Sequence, residues 1–409
     1  MTNKTVKTPK MPTFNTRQRG WNFLQTPGPT NIPNRVLNAM NQPAVEFLGP
    51  EFMDFARGLF DALKPLFGTT GDIVIYAANG HGSWEAALTN TLDIGDKVLI
   101  PETGRFALSW GDFAGKLGVE YEVVENDWRK AVNPNAIEEK LRADTHHEIK
   151  AILLVHTDTG TGITSDVAGV RAAIDAAGHP ALLMCDTIAS LLTCPYEMDS
   201  WGVDVTIGAG QKGFMLPPGL GFNAVSPKAR ELAKTCQRPG NYWDWSERLE
   251  SEEFYLSFCG TAPEHMMFGL RAAIDMINEE GVENVFKRHF RLSRAVHAAV
   301  DKWAEGGVLQ NNAVNPDDRS NSVTTVLLDE VHDPIDLRNL CRERYNLALG
   351  NGMGKIMNES FRIGHMGDLN EAMIFGTLGA VEAGLKGLQI PHGEGGVNAA
   401  IDSLLAFDD

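Results

Sequence analysis

Short apolar runs alternate with stretches of helical spacing along most of this chain, and this alternation limits the possible fold more than any other feature. The run at 72–78, for example, is followed by helical spacing over 83–92, and the next run comes at 97–101. Such alternation is typical of βαβ units, in which helices cover both faces of a buried parallel sheet. The sequence therefore predicts an α/β fold with a mostly parallel sheet.

The elements of the first two thirds fit this pattern, and those of the last third do not. The predicted strands of the first part are 72–78, 97–101, 119–124, 150–156, 181–185, 203–207 and 221–225, and its predicted helices are 83–92, 106–117 and 166–177. Farther on, the predicted helices are 290–303, 334–344 and 369–385, and the predicted strands are 322–328 and 360–363. We therefore expect an N-terminal arm at 1–25, a large domain at 26–286 and a smaller C-terminal α+β domain at 287–409.

Composition excludes several classes of protein. Lys and Arg number 36 against 53 Asp and Glu, for a net charge of −17, so the chain is poorly suited to nucleic-acid binding. No apolar run approaches the ~18 residues that span a bilayer, and the N-terminus lacks the apolar stretch of a secretory signal. The five cysteines are widely spaced without a C-x-x-C pair, which disfavours disulfides and zinc. We expect a cytoplasmic protein with no membrane association and no metal.

Three loops that follow apolar runs carry residues suited to ligand binding. Asn79-Gly80-His81 precedes a helix whose N-terminus could hold a phosphate, although a plain glycine turn would look the same. Asp186 follows the run at 181–185, where a helix N-cap is the alternative role. Because ligands gather at the carboxyl ends of parallel strands, we expect these loops to share one site.

The third loop contains Lys212 within Gly208-Ala209-Gly210-Gln211-Lys212-Gly213. This segment satisfies the G-x-G-x-x-G pattern, but Pro217 and Pro218 follow where a dinucleotide site needs a helix, so that interpretation is rejected. A surface lysine is the common alternative. The adjoining Phe-Met-Leu run instead favours a shielded amine.

Pyridoxal 5′-phosphate needs three groups in its site, namely a phosphate-binding helix N-terminus, a carboxylate and a lysine shielded from solvent. The carboxylate would keep the ring nitrogen protonated, and the amine would hold the aldehyde. Phe106 could stack on the ring, unless it is only a core residue. Arg362 lies in an apolar strand and could bind a substrate α-carboxylate, with a structural ion pair as the alternative.

Several motifs in order resemble those of one family: TPGPTNIP from residue 26, NGHGSWEAALTN from 79, HTDTGTGIT from 156, CDTIAS from 185, GAGQKGFMLPPGLG from 208 and FRIGHMGDLNE from 361. With them the chain resembles the class V, fold-type I pyridoxal-phosphate-dependent aminotransferases, and within these the serine–glyoxylate and alanine–glyoxylate group. The resemblance covers nearly the whole chain. It implies a fold-type I architecture, small-molecule substrates and a homodimer with shared active sites.

The resemblance also implies roles for individual residues. Lys212 matches the lysine that holds the cofactor and moves protons, and Asp186 matches the partner of the ring nitrogen. The residues that match other cofactor contacts are Asn79, Gly80, His81, Phe106, Thr159, Gln211 and, from the neighbouring subunit, Thr261. Arg362 and Gly28 match the positions that face the substrate carboxylate.

Two departures from the family pattern affect the expected contacts, the first with the cofactor phosphate and the second with the substrate. Phe258 replaces a tyrosine that contacts phosphate in alanine–glyoxylate enzymes, and Glu46-Phe47-Leu48 replaces the Asp-His-Arg stretch of serine–glyoxylate enzymes. The second departure, with a resemblance to bacterial aspartate–glyoxylate aminotransferases, favours L-aspartate as amino donor, giving oxaloacetate and glycine. L-Serine, giving hydroxypyruvate, is the alternative. An aspartate side chain would need a further cation or donor, and the candidates are Lys355, Arg105 and His81.

Two other functions remain open. One is a class V lyase of the cysteine desulfurase or kynureninase kind. A desulfurase would need a catalytic cysteine on a mobile loop, whereas Cys341 lies in helical spacing. A non-catalytic binding protein on the same fold would be expected to lack Lys212 or Asp186, and both are present.

Overall fold

The computed structural model describes residues 22–238 and 240–407, which form one large mixed sheet, one smaller sheet, a two-stranded sheet and the helices around them. The strands of this part of the chain are β1 (Phe23–Gln25), β2 (Asp72–Tyr76), β3 (Lys97–Pro101), β4 (Glu120–Val124), β5 (Ile149–Val155), β6 (Thr157–Asp158), β7 (Ile163–Thr164), β8 (Leu182–Asp186), β9 (Val205–Ala209), β10 (Gly221–Val225), β11 (Gln310–Asn311), β12 (Val323–Leu327), β13 (Leu347–Asn351) and β14 (Ser360–Gly364).

The α-helices of the same residues cover both sheets. They are α1 (Asn34–Met40), α2 (Pro50–Leu63), α3 (Gly80–Thr91), α4 (Arg105–Lys116), α5 (Pro134–Ala143), α6 (Val167–Ala176), α7 (Pro227–Ala233), α8 (Gly240–Trp243), α9 (Trp245–Glu250), α10 (Glu264–Glu280), α11 (Val282–Ala304), α12 (Pro334–Tyr345), α13 (Glu371–Gly387) and α14 (Gly396–Leu405). Short 3-10 helices occur at Lys64–Phe67, Phe254–Phe258, Pro316–Asp318 and Gly354–Ile356. No helix in the described ranges is long and apolar enough to cross a membrane.

The large sheet has seven strands in the order β2-β10-β9-β8-β5-β3-β4. Six of them point in the same direction, and β10, which is antiparallel to both β2 and β9, points the opposite way. Successive residues of a strand point to opposite faces, so Ile152 and Leu154 of β5 enter one apolar core while Leu153 and Val155 enter the other. Burial on both faces is what made these strands recognisable as apolar runs, and the predicted fold-type I α/β architecture is confirmed.

The small sheet has the order β1-β13-β14-β12-β11 and packs on a third core with α11, α12, α13 and α14. Strand β1 pairs in parallel with β13, so Phe23 lies opposite Leu347. Residues 23–25 were expected to belong to the N-terminal arm, and in the structure they are an edge strand of this sheet. The rest of the predicted arm, residues 1–21, lies outside the described residues, and the division at residue 286 stays a proposal.

Candidate active site

A cavity of about 210 Å³ opens at the carboxyl ends of neighbouring strands of the large sheet. Val155 ends β5, Asp186 ends β8, and Lys212 comes three residues after the end of β9; all three line the cavity. Because β5, β8 and β9 are adjacent and parallel, their ends must meet at one edge of the sheet. Gly80 at the start of α3 and Phe106 at the start of α4 line the same cavity.

The amine of Lys212 points into this cavity and donates a hydrogen bond to the backbone carbonyl of Pro27. Gly28 lies directly against it: a Cβ at this position would collide with the Lys212 side chain, and the φ of +113° also favours glycine. Burial, reinforced by the positive charge of Arg362, lowers the pKa of Lys212 to about 8, while Asp186 and Asp158 oppose the shift. An amine with such a pKa is a better nucleophile and base near neutral pH than an exposed lysine.

Asp186 is 3% exposed, and a fixed hydrogen bond holds each of its oxygens. The backbone N–H of Ile188 donates to Oδ1 at 2.7 Å, and the indole N–H of Trp84 donates to Oδ2 at 2.8 Å. Burial raises the pKa of Asp186 to about 7, and these two donors and the charge of Lys212 limit the rise. The carboxylate is therefore ready to receive a cationic donor from the cavity.

The turn that begins α3 is capped by its own asparagine. The Asn79 side-chain oxygen accepts from the N–H groups of His81 and Gly82, at 3.1 and 3.4 Å, so Asn79 is the helix N-cap. Gly80 and His81 line the cavity, whereas Asn79 is not among its lining residues. A phosphate at this turn would compete with Asn79 for the same two N–H groups. Burial, with the charge of Arg105, lowers the pKa of His81.

Gln211 adds a polar group to the cavity wall, and its side-chain oxygen, although buried, has no hydrogen-bond partner among the described residues. A carboxamide carries both donors and acceptors. Buried polar groups are rarely left unpaired, so an unpaired one in a cavity wall is consistent with a polar ligand there.

Phe106 lines the cavity at the first turn of α4, and Asp158 holds this turn in place. The fully buried Asp158 carboxylate accepts from the N–H groups of Phe106 and Ala107, at 2.7 and 3.3 Å, and from Gly160 at 2.8 Å. Burial raises the pKa of Asp158, against those backbone donors and the charge of Arg362.

Arg362 reaches the site from the small sheet. Its Nε donates to the Asn351 carbonyl at 2.6 Å, and its Nη1 donates to the Thr159 carbonyl at 2.8 Å. The side chain is almost completely buried, which lowers its pKa to about 10, with Asp158 opposing the shift. Thr159 lines the cavity, so the guanidinium lies directly behind one wall.

The structure does not bring every expected residue to the cavity. Thr261 lies on an exposed loop and does not line the cavity of its own chain. Phe258 is buried against Phe60 and Phe254. Glu46-Phe47-Leu48 lies outside the cavity wall, where Phe47 packs near Tyr255.

Two of the cations considered for the side-chain carboxylate of an aspartate donor differ in whether another residue already pairs them. Lys355 forms an ion pair with Glu102 at 2.5 Å and lies over the ring of Trp128, so its charge is already paired. Arg105 makes no hydrogen bond or ion pair with any residue in the described ranges.

Two residues of the site were not recognised from the sequence, namely Trp84 and Asp158. Trp84 fits the apolar spacing of α3, and nothing in that spacing separates it from a core tryptophan. Asp158 follows a buried strand closely, and the same criterion that selected Asp186 could have selected it. Cys341, the candidate for a desulfurase, is buried in α12, where burial raises its pKa to about 12, so it is not a reactive thiol on a mobile loop.

The residues around the cavity fit pyridoxal 5′-phosphate. The site offers an amine of lowered pKa, a buried carboxylate with free lone pairs, an aromatic ring and an unpaired carboxamide. When bound, this cofactor supplies an electron-poor ring that stabilises negative charge at the substrate α-carbon.

Comparison with known proteins agrees with this chemistry. The chain is 41% identical over 389 residues to a serine–glyoxylate aminotransferase of Methylorubrum extorquens, covering 93% of this chain and 95% of that protein. It is 38% identical over 371 residues to an L-aspartate–glyoxylate aminotransferase of Paracoccus denitrificans, covering 90% and 92%. The crystal structure of a ureidoglycine–glyoxylate aminotransferase from Bacillus subtilis superposes with a TM-score of 0.86 at 24% identity, covering 96% of this chain and 99% of that one.

The family profile described as "Aminotransferase class-V" matches residues 22–358. Enzymes of this class use pyridoxal 5′-phosphate, the cofactor that the cavity fits. The chain therefore belongs to the class V aminotransferases and is a pyridoxal-phosphate-dependent aminotransferase.

Proposed function

We propose that this enzyme transfers the amino group of an L-amino acid to glyoxylate, giving glycine and a 2-oxo acid, with L-serine as the first candidate donor. The observation that carries the aminotransferase chemistry is the convergence of Lys212 and Asp186 on one cavity, with Arg362 behind its wall. Glyoxylate as acceptor is supported by relatives at 41% and 38% identity, whose names both include it.

Lys212 is the proposed cofactor anchor and general base. Its amine has a pKa of about 8, so a useful fraction is unprotonated near neutral pH. Once substrate has displaced it from the cofactor, the amine can take the proton from the substrate α-carbon. The contact of its Nζ with the Pro27 carbonyl marks one position that the free amine can occupy.

Arg362 is the proposed site of the substrate α-carboxylate, with Gly28 opposite. Its Nε and Nη1 already donate to backbone carbonyls, which fixes the plane of the guanidinium. The N–H groups of Nη2 remain for a carboxylate. Donor and acceptor both carry such a carboxylate, so one arginine can serve both half-reactions.

The choice of donor differs from the sequence expectation, which favoured aspartate. Serine is supported by the higher identity to a serine–glyoxylate enzyme. It is also supported by the pairing of Lys355 with Glu102, which occupies one of the cations that an aspartate side chain would need. A serine side chain carries no charge and requires no such cation.

Aspartate remains a second candidate because of Arg105. This guanidinium has no partner among the described residues and lies close enough to His81 to lower its pKa. It adjoins Phe106, which lines the cavity. A relative named as an aspartate–glyoxylate enzyme covers 90% of the chain, which also supports this candidate.

A homodimer with shared active sites also forms part of the proposal. Thr261 lies exposed and away from the cavity of its own chain, as expected for a residue that serves a second copy. Large apolar side chains at Val45, Leu48 and Tyr255 are exposed as well. A mass of one chain in light scattering, with full activity, would contradict this part.

The test is a donor panel at fixed glyoxylate, in which glycine formation is followed with serine, aspartate, alanine and glutamate. We expect kcat/KM for serine to exceed that for aspartate by at least about tenfold, equal to about 1.4 kcal/mol of transition-state free energy. The reverse order would overturn serine as donor. A preference for pyruvate over glyoxylate as acceptor would overturn glyoxylate. Lys212→Ala should abolish turnover with every donor.

Two matched variants test the aspartate candidate. If aspartate is used, Arg105→Gln should lower its kcat/KM and leave serine unchanged, because only aspartate carries a second carboxylate. Lys355→Gln removes an equal charge that Glu102 already pairs, so it serves as the control. Equal effects of the two variants on both donors would exclude Arg105 as the specificity residue.

A further inference from the structure

The side chain of Trp84 contacts both the buried carboxylate of Asp186 and the turn that begins α3. Its indole N–H donates to Asp186 Oδ2 at 2.8 Å. Its ring lies edge-on to His81, with centroids 4.6 Å apart, and stacks on Trp110 at 5.6 Å and 13°. The side chain is 1% exposed, so this arrangement leaves little freedom for the indole to move.

The donor to Asp186 Oδ2 is a neutral group, and this affects the charge of the site. An indole N–H can only donate, and it does not titrate. It can therefore hold a carboxylate oxygen at any pH without bringing a second positive charge to the site. An arginine in the same place would compete electrostatically with a cationic ring nitrogen, whereas a neutral donor leaves the negative charge of Asp186 available.

The hydrogen bonds to Asp186 also leave lone pairs of its carboxylate free to accept from a donor in the cavity. Oδ1 accepts from the Ile188 backbone N–H and Oδ2 from Trp84, so the carboxylate plane is fixed at two points. Each oxygen of a carboxylate has about two lone-pair sites. One on each therefore remains for a donor in the cavity, which Trp84 and Asp186 both line.

We propose that Trp84 is a positioning residue that orients Asp186 toward the ring nitrogen of the cofactor and keeps its carboxylate ionised. This inference rests on the role proposed for Asp186 above. It predicts that loss of the indole N–H weakens the recognition of the ring nitrogen specifically. Contacts with the phosphate and with the ring face should be affected far less.

The structure supplies a matched control in Trp110. This residue is fully buried and stacked against Trp84, but its indole nitrogen has no hydrogen-bond partner among the described residues. Trp84→Phe and Trp110→Phe therefore remove the same atoms from the same cluster. Only the first removes a hydrogen bond to Asp186.

The readout is cofactor binding to the apoprotein, measured with pyridoxal 5′-phosphate and with its 1-deaza analogue, in which carbon replaces the ring nitrogen. The ratio is the dissociation constant of the analogue divided by that of pyridoxal 5′-phosphate. It isolates the interaction at the ring nitrogen, because general packing damage weakens the binding of both compounds. We expect Trp84→Phe to reduce this ratio by about tenfold, as for loss of a hydrogen bond to a charged group, and Trp110→Phe to change it less than twofold. Equal ratios in both variants would overturn the inference.

Asp186→Asn separates this inference from the role on which it rests. If the wild type binds both compounds equally and Asp186→Asn changes nothing, the proposed role of Asp186 fails. If Asp186→Asn abolishes the preference for pyridoxal phosphate while Trp84→Phe keeps it, only the role of Trp84 fails.

A second measurement needs no change at Trp84 and remains decisive if Trp84→Phe does not fold. The chain has 8 tryptophans, so ¹⁵N-labelled apoprotein should show a small set of indole resonances. One of them should titrate with the ionisation of Asp186 and lose that titration in Asp186→Asn. If no indole resonance responds to Asp186→Asn, the hydrogen bond is not present in solution and the inference is wrong.

Discussion

The guanidinium of Arg362 is held by backbone carbonyls from both parts of the protein. Asn351 belongs to the small sheet, and Thr159 follows β6 beside the large sheet. Because the same arginine is the proposed site of both substrate carboxylates, Arg362→Ala should raise the KM for the amino donor and for glyoxylate together. Loss of one member of a buried charge pair costs about 2–5 kcal/mol, so the expected rise is at least tenfold. Steady-state kinetics with each substrate varied in turn would measure it.

Arg338→Ala is the control for this prediction. Arg338 also donates to a backbone carbonyl of the small sheet, that of Leu349, but it does not reach the cavity wall. Its loss should leave both KM values unchanged. A rise confined to one substrate in Arg362→Ala would mean that the two carboxylates bind different groups.

At the scale of elements, the N-terminus of α4 depends on a side chain from another segment. The N-cap residue is Gly104, which offers no side-chain acceptor, and Asp158 accepts from the first turn instead. A Cβ at Gly104 would lie 2.6–2.8 Å from the Asp158 carboxyl atoms. Gly104→Ala should therefore displace Asp158 or the turn that carries Phe106, at a cost of about 1–3 kcal/mol. We expect a lower thermal midpoint and weaker cofactor binding.

Gly58→Ala is the matched control for this element. Gly58 lies inside α2, where an added Cβ would meet nothing within 4 Å. Alanine is favoured over glycine in helices by about 0.5–1 kcal/mol, so this variant should be neutral or slightly stabilising. If both glycine variants bind cofactor like the wild type, Asp158 does not position Phe106.

The elements that were predicted well from the sequence are those buried on both faces. Strands β3 and β10 have the predicted bounds, because continuous apolar runs between turns leave few alternatives. Helix α10 was missed, and it begins after Pro263 without a side-chain cap. Strand β1 has only three residues, and its partner β13 lies more than 300 positions later, so no local pattern could reveal the pairing.

The residues of the site also differ in whether the sequence alone could reveal them. Lys212 and Asp186 could be selected because strand ends of a parallel sheet converge whatever the details of the fold. The contact between Trp84 and Asp186 joins residues 102 positions apart and depends on how α3 packs on the sheet. Helical spacing identifies a buried tryptophan but not the partner of its N–H.

At the scale of the whole molecule, two buried histidines connect the chain segment that follows β14 to α11 and to residues 321–324. His289 contacts the Val285 carbonyl through Nδ1 and accepts the Gly367 N–H through Nε2. His365 contacts the Asn321 carbonyl through Nδ1 and the Thr324 hydroxyl through Nε2. In both rings the neutral tautomer with hydrogen on Nδ1 satisfies every contact. A proton on Nε2 of His289 would face the Gly367 N–H directly.

This arrangement predicts that the fold loses stability in mild acid. Burial, helped by the charge of Arg288, lowers the pKa of His289 to about 3, and burial lowers that of His365 to about 4, both from 6.5. Between about pH 6.5 and 4 the unfolded chain therefore binds more protons at these two sites than the folded chain. The free energy of unfolding then falls as pH falls, by up to about 1.4 kcal/mol per pH unit for each group.

The proton count on unfolding gives a direct test, because it does not require reversible unfolding. Wild-type apoprotein is unfolded by a urea jump at pH 5 in weak buffer, and an indicator dye reports the protons taken up per chain. His289→Gln should take up about one proton fewer, since the unfolded wild-type chain charges this ring and the folded one keeps it neutral. His146→Gln, at an exposed histidine, is the control for the substitution itself. If the His289 and His146 variants give the same count, His289 is already charged in the folded protein, and the acid sensitivity must arise elsewhere.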